Sequence, residues 1–370
     1  MSEDKAAERT GHSSIETVPF TEIETILAEE FGERFVAYRK VYRDSLNCDR
    51  TGQLPAFPVT VQFELVNRCN LSCIMCYTDN HKAAKSTLAI GTLETVMQEC
   101  QSFGVPAAVI GMGSEALLYK DIRKVISTIR DAGVMDLFFG TNATLLNEDI
   151  AGFMIDQRVS RVLVSLDAAT PETYKRIRGK DELELVERNV RRLIELKRER
   201  GSKLPIVRLC FCVQPENLHE RQAFVDKWRD WADYIDFQER IDFSSVNDLI
   251  AGNYEALPDL KTMPVADTHC PYPFNTLNVW ANGDVTPCCT FYGKALVLGN
   301  VAENTLKELW DGDRINEIRR ELVSGNLNPT CHTCLAQRDR ANFEHARLTA
   351  EGERAHGCAL SGEVKLTGEK

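Results

Sequence analysis

Val59-Thr-Val-Gln-Phe-Glu-Leu-Val66 leads, through Asn67 and Arg68, into Cys69-Asn-Leu-Ser-Cys73-Ile-Met-Cys76. The first run alternates apolar and polar side chains, the pattern of a half-buried β-strand. Directly past its end come three thiols at C-x3-C-x2-C spacing. Thiolates are soft ligands that suit iron–sulfur clusters or zinc. A closed metal site takes four ligands, so three protein thiols leave one position open to chemistry. A zinc loop borrowing His81 is the competing reading, but zinc loops ordinarily show C-x2-C knuckles.

Outward from this stretch, strand-like segments recur near residues 59–66, 107–112, 134–140, 160–167, 205–213 and 233–240, with helical segments between them. Six β/α units in series predict a parallel sheet with crossover helices. Six units rather than eight predict an α/β fold of the partial (β/α)6, TIM-like barrel type. Ligands of such barrels bind at the C-terminal ends of the strands, which is where the three cysteines lie.

The remaining bounds are compatible with an enzyme of this kind. The apolar fraction is 43%, enough for a sizeable core, and the net charge of −11 argues against a nucleic-acid surface. No apolar run approaches the ~20 residues of a membrane span, and the polar start predicts a cytoplasmic protein. Thirteen cysteines in such a chain point to metal rather than disulfides. Residues 1–17 are expected to be disordered. Thr21-x-x-Glu24 reads as a capping box opening a helix to about Leu46, within an 18–54 extension that packs on the barrel. The barrel is assigned to 55–262, an auxiliary domain to 263–340 and a tail to 341–370.

The three-cysteine spacing, with Tyr77 just after it, resembles the radical S-adenosylmethionine (SAM) superfamily. The resemblance implies a [4Fe–4S] cluster on Cys69, Cys73 and Cys76, whose fourth iron is chelated by SAM. It also implies that one-electron reduction releases a 5′-deoxyadenosyl radical that abstracts a hydrogen atom from substrate. Gly111-Met-Gly113-Ser-Glu115 stands where the superfamily has Gly-Gly-Glu-Pro, although Ser114 and Ala116 depart from that motif. By the resemblance Gly113 and Glu115 would meet the amino group of SAM. Thr141, Asn142, Ser165 and Asp167 lie at the ends of strands three and four, where Asn142 and Ser165 would serve the ribose. Arg178 would meet the carboxylate. Without the resemblance, these residues read equally as turn and helix-cap groups.

A second cysteine set begins where the strand–helix alternation stops. Cys270 precedes the strand-like Phe274-Asn-Thr-Leu-Asn-Val-Trp280; Ala-Asn-Gly-Asp284 reads as a hairpin turn; and Val285-Thr-Pro-Cys288-Cys289 returns. A helix around Leu306–Leu322 and Cys331-His-Thr-Cys334 follow. This β-hairpin-plus-helix segment resembles the twitch form of the SPASM domain, implying an auxiliary [4Fe–4S] cluster on Cys270, Cys288, Cys331 and Cys334. Cys289 competes with Cys288. Only Cys358 remains downstream, so a second auxiliary cluster is not expected.

A substrate radical can be oxidised, inverted or crosslinked. Cys210 and Cys212 alternate along strand five and point to one side, as hydrogen donors if that side is the barrel interior and as small buried hydrophobes otherwise. Glu239 and then Asp236 are the candidate bases for oxidation. Relatives bearing a twitch domain include aminocyclitol dehydrogenases and sugar epimerases of antibiotic biosynthesis. The expected substrate is therefore a small hydroxylated molecule, with a flavodoxin- or ferredoxin-type electron donor as partner. A peptide maturase is the second reading, and a non-catalytic iron–sulfur or zinc protein the third.

Overall fold

The computed structural model describes residues 15–77, 85–240, 260, 262–288 and 292–339. His81, Cys289 and Cys358 lie outside the described residues, and so does the choice between Cys288 and Cys289.

Six strands run parallel: β2 (Thr60–Phe63), β3 (Ala107–Ile110), β4 (Asp136–Thr141), β5 (Arg161–Ser165), β6 (Ile206–Val213) and β7 (Tyr234–Glu239). Five fall inside the segments read from the sequence, and β4 runs one residue past its segment, to Thr141. They pair in the order β7-β6-β5-β4-β3-β2 within one ten-stranded sheet, an α/β partial barrel. The outward side chains of β6, Val207, Leu209, Phe211 and Val213, join the main core with Val186, Phe224 and Trp228 of the surrounding helices. Period-two alternation puts Arg208, Cys210 and Cys212 on the opposite, inner face.

The auxiliary region is continuous with this sheet. β8 (Thr276–Val279) pairs parallel to β2, with Thr60 beside Thr276 and Phe63 beside Val279. β9 (Asp284–Thr286) returns antiparallel through the expected hairpin, and β10 (Gly299–Asn300) closes the edge.

Three expectations near the termini are corrected. Residues 15–17 are not irregular: β1 (Ile15–Pro19) pairs antiparallel with β7 and supplies the missing neighbour of an edge strand. The single N-terminal helix is two, α1 (Ile23–Phe31) and α2 (Glu33–Ser45), broken at Gly32, whose φ of 69° suits glycine. The Thr21 capping box does not form, because the Thr21 hydroxyl turns to Asp233, 3.4 Å from its Oδ1. The helix over 306–322 is likewise divided, into Leu306–Asp311 and Asp313–Ser324.

α1 and α2 close the lower end of the barrel. Leu27, Phe35 and Tyr38 pack on Val59, Ala107, Met135, Leu204, Ile206 and Tyr234, which lie at or beside the strand starts. At this end a buried polar knot hangs on Asp136. Its carboxylate accepts from the Tyr38 and Ser160 hydroxyls at 3.1 and 2.7 Å, and from Nε and Nη2 of Arg161 at 3.2 and 3.1 Å.

Candidate functional site

At the opposite end, the loop after β2 carries Cys69, Cys73 and Cys76. The helix Pro171–Arg178 ends against this loop. The last carbonyls of a helix lack intrahelical partners; here Ile177 O accepts from Ile74 N at 2.9 Å and Arg178 O from Ser72 N at 3.4 Å. Cys69 and Cys76 are both close enough to push up the Cys73 thiol, though burial is the largest cause and takes Cys73 to about 12. Burial raises Cys69 as well. Iron binds the thiolate, so a bound metal offsets that cost.

Two side chains address the sulfurs. Asn142 Nδ2 lies 3.6 Å from Cys69 Sγ and donates to Asn70 Oδ1 at 2.9 Å. Arg178 Nη1 donates to Cys73 Sγ at 3.5 Å, while its Nη2 pairs with Asp167 Oδ2 at 2.5 Å. Asp167 in turn accepts the Cys212 N–H at 2.7 Å. Donors to thiolate sulfur tune a cluster's potential, so Arg178 and Asn142 serve the cysteines directly.

Glu115 is 1% exposed and already engaged. Its carboxylate accepts from Thr141 Oγ1 and Asn142 N, each at 2.7 Å, and from Leu117 N at 3.1 Å. It therefore ties the end of β3 to the end of β4 and places Asn142. Burial raises its carboxyl against these hydrogen bonds. Gly113 has φ 62°, and a Cβ there would stand 1.9 Å from the Tyr77 hydroxyl, so glycine lets the ring of Tyr77 pack down. Ser165 pairs in register with Cys210 on the inner face.

Of the base candidates, Asp236 is occupied: Arg208 Nε pairs with Oδ2 at 2.5 Å and the Thr17 hydroxyl donates to Oδ1 at 2.6 Å. Its carboxyl is raised by burial, and through Thr17 it also anchors β1 to β7. Glu239 ends β7 beside Val213; its side chain lies outside the described residues.

The second set converges as expected. Cys270, Cys288, Cys331 and Cys334 line one cavity with Leu296, Leu322 and Leu335. Burial pushes Cys331 to about 12, against the hydrogen bond from Asn328 Nδ2 at 3.3 Å. Among the described residues no three His, Cys, Asp or Glu groups close on a single-ion position. Three soft donors in one loop and four around one cavity are donor sets that suit iron–sulfur clusters.

Two groups on this inner face were not visible in the sequence. Glu64, one residue past β2, is 2% exposed, and Lys294 reaches it from the 3-10 turn Tyr292–Ala295. Glutamate in an alternating strand reads as a solvent-facing residue, and a lone loop lysine carries no signal. Only the β2/β8 register brings them together.

Comparison with known proteins agrees. Residues 63–227 match the model of the radical SAM superfamily, and residues 270–335 that of an iron-sulfur cluster-binding domain, SPASM. The chain therefore carries a radical SAM domain followed by a SPASM domain. The two domains imply SAM and [4Fe–4S] clusters as its cofactors. A probable GTP 3′,8-cyclase of Methanothermobacter marburgensis is 33% identical over 132 residues, 36% of this chain and 43% of that protein. That of Methanocaldococcus jannaschii is 30% identical over 138 residues, 37% of this chain and 46% of that protein. The chain thus spans less than half the length of these curated relatives. In fold it is similar to anSMEcpe with bound AdoMet (TM-score 0.55, 16% identity, 80% of this chain and 96% of that one). It is also similar to Streptococcus suis SuiB bound to precursor peptide SuiA (0.52, 15%, 76% and 71%). Among the described residues no helix is long and apolar enough to cross a membrane.

Proposed function

We propose that this enzyme removes a hydrogen atom from a C–H bond of a small hydroxylated substrate, a sugar or aminocyclitol, and ends in epimerisation rather than oxidation. When bound and reduced, SAM supplies the abstracting radical. The observation that carries the ending is the thiol pair on the inner face of β6. Cys210 is buried and Cys212 partly so, and desolvation favours the S–H form of both, pushing Cys210 to about 12 and Cys212 well above its ordinary value. A hydrogen-atom donor must be a thiol and not a thiolate. Cys212 is the better placed of the two: its backbone N–H is bound to Asp167, whose partner Arg178 reaches Cys73. Giving up its hydrogen leaves a thiyl radical, which returns to the thiol by taking one electron from a flavodoxin- or ferredoxin-type donor and one proton from solvent. Asp236, held by Arg208 and Thr17, is already engaged in anchoring β1, which weighs against it as the base of an oxidative ending. The partial match to GTP 3′,8-cyclases supports the shared barrel chemistry and leaves the substrate to experiment.

The test is turnover in D2O against a panel of hexoses and aminocyclitols. The expected product carries one solvent deuteron at an inverted carbon. Cys212→Ser should lose inversion by more than about 100-fold, the scale at which a positioned proton or hydrogen donor matters, while still releasing 5′-deoxyadenosine. Release stimulated only by a precursor peptide would overturn the substrate reading, and no release at all under reduction would overturn the radical chemistry.

A further inference from the structure

We infer that Glu64 and Trp280, with Tyr77, form a subsite for a primary ammonium group of the substrate, and that Lys294 is the internal cation lying in it. The inference rests on the reading above that the substrate is a small molecule handled inside the barrel. The register of β2 with β8 carries Glu64 beside Trp280 on the inner face, one position beyond the Phe63–Val279 pair. Glu64 is two positions on from Gln62 and opposite in parity to the outward, core-packed Phe63 and Leu65. Tyr77 follows the last cysteine of the catalytic loop, and Gly293, next to Lys294, lines the auxiliary cavity. The group thus stands between the two cysteine sets, where a substrate would lie.

The chemistry is that of an ammonium site. Lys294 Nζ stands 4.1 Å from the centroid of the Trp280 ring and 5.7 Å from that of Tyr77. An ammonium over aromatic faces is held by their quadrupoles, and the carboxylate adds charge. Yet Glu64 is poorly served for so buried a carboxylate. Its contacts among the described residues are Lys294 Nζ at 3.4 Å and Ala281 N at 3.3 Å, both long. Buried carboxylates ordinarily collect short, charge-assisted bonds. Beside it on β8, Asn278 is fully buried with its Oδ1 unpartnered among the described residues, an acceptor open to a hydroxyl or amine. Lys294 is 30% exposed and on a short turn, able to withdraw when a substrate ammonium takes its place.

Calorimetry on the reconstituted full-length enzyme tests this, with glucosamine, glucose and glycyl-lysine as probes. Glucosamine should bind at least about tenfold more tightly than glucose, the worth of one charge-assisted hydrogen bond. Glu64→Gln should lose that preference and leave glucose binding unchanged. Lys294→Met, on a partly exposed side chain, should tighten glucosamine binding by removing the competitor. Equal binding of the two sugars, an unchanged Glu64→Gln, or weaker binding in Lys294→Met overturns the subsite. So does failure of all three probes to bind. Glycyl-lysine binding that depends on Glu64, without glucosamine binding, supports the ammonium subsite and overturns the sugar reading instead.

Discussion

Arg178→Ala is expected to strip the cluster from Cys69, Cys73 and Cys76 and to destabilise the barrel by about 3–5 kcal/mol, the cost of breaking a buried pair from one side. Arg178 is 6% exposed and Asp167 1%. Removing the guanidinium leaves the Asp167 carboxylate buried without its charge partner and Cys73 without its donor. It also removes the fork that ties the helix Pro171–Arg178 to the cysteine loop. Burial already raises the Asp167 carboxyl, with Arg178 the largest opposing influence, so the variant raises it further. An acid whose folded pKa lies above its unfolded value binds more protons when folded, and stability then falls as pH rises through that range. The destabilisation should therefore be largest at neutral pH and shrink as pH drops toward the ordinary carboxylate range near 4. Iron analysis and urea unfolding at two pH values check both statements. Full iron content with unchanged stability would mean that the pair is incidental.

Asp136→Ala should cost about as much, about 3–5 kcal/mol, with no direct effect on either cluster. Asp136 is the hub of the lower plug: its loss strands the Arg161 guanidinium, 15% exposed, together with the Tyr38 and Ser160 hydroxyls. Glu24, 3.8 Å from Arg161, is half exposed and a weak substitute. Asp136→Asn keeps the shape and one acceptor but still leaves the cation unneutralised, so it should recover only part of the loss. The check is denaturant unfolding, with the iron content of the folded fraction measured alongside. Iron retained at reduced stability is the expected pattern. Iron lost from Asp136→Ala in the absence of unfolding would show that the two ends of the barrel are coupled.

The contrast between these two ends shows what the sequence could and could not reveal. The strands of the barrel were legible because each is a short run of β-branched and apolar residues, as in Arg161–Ser165, bounded by polar turns. The thiols were legible because spacing alone declares a shared ligand set. Sequence could not show what the polar groups around the thiols touch. Glu115 and Arg178 are expected to meet SAM, and the structure adds partners within the protein, Asn142, Asp167 and Cys73. Those partners lie 27, 11 and 105 residues away, and a local pattern cannot encode them. Likewise, Asp236 read as an available acid until β1, a five-residue strand in a segment expected to be irregular, supplied Thr17. Glu64 and Lys294 are 230 residues apart and meet only because the auxiliary hairpin continues the barrel sheet. Register, rather than motif, is what the sequence left undetermined.

The central claim is that the two cysteine sets hold two separate clusters, one open and one closed. Iron and acid-labile sulfide after anaerobic reconstitution test it most directly, in the wild type and in the Cys69→Ala/Cys73→Ala/Cys76→Ala variant. The expected result is about eight irons per chain falling to about four, since each [4Fe–4S] cluster takes its own cysteine set. About four irons falling to none would contradict it, leaving the Cys270, Cys288, Cys331 and Cys334 cavity without a cluster.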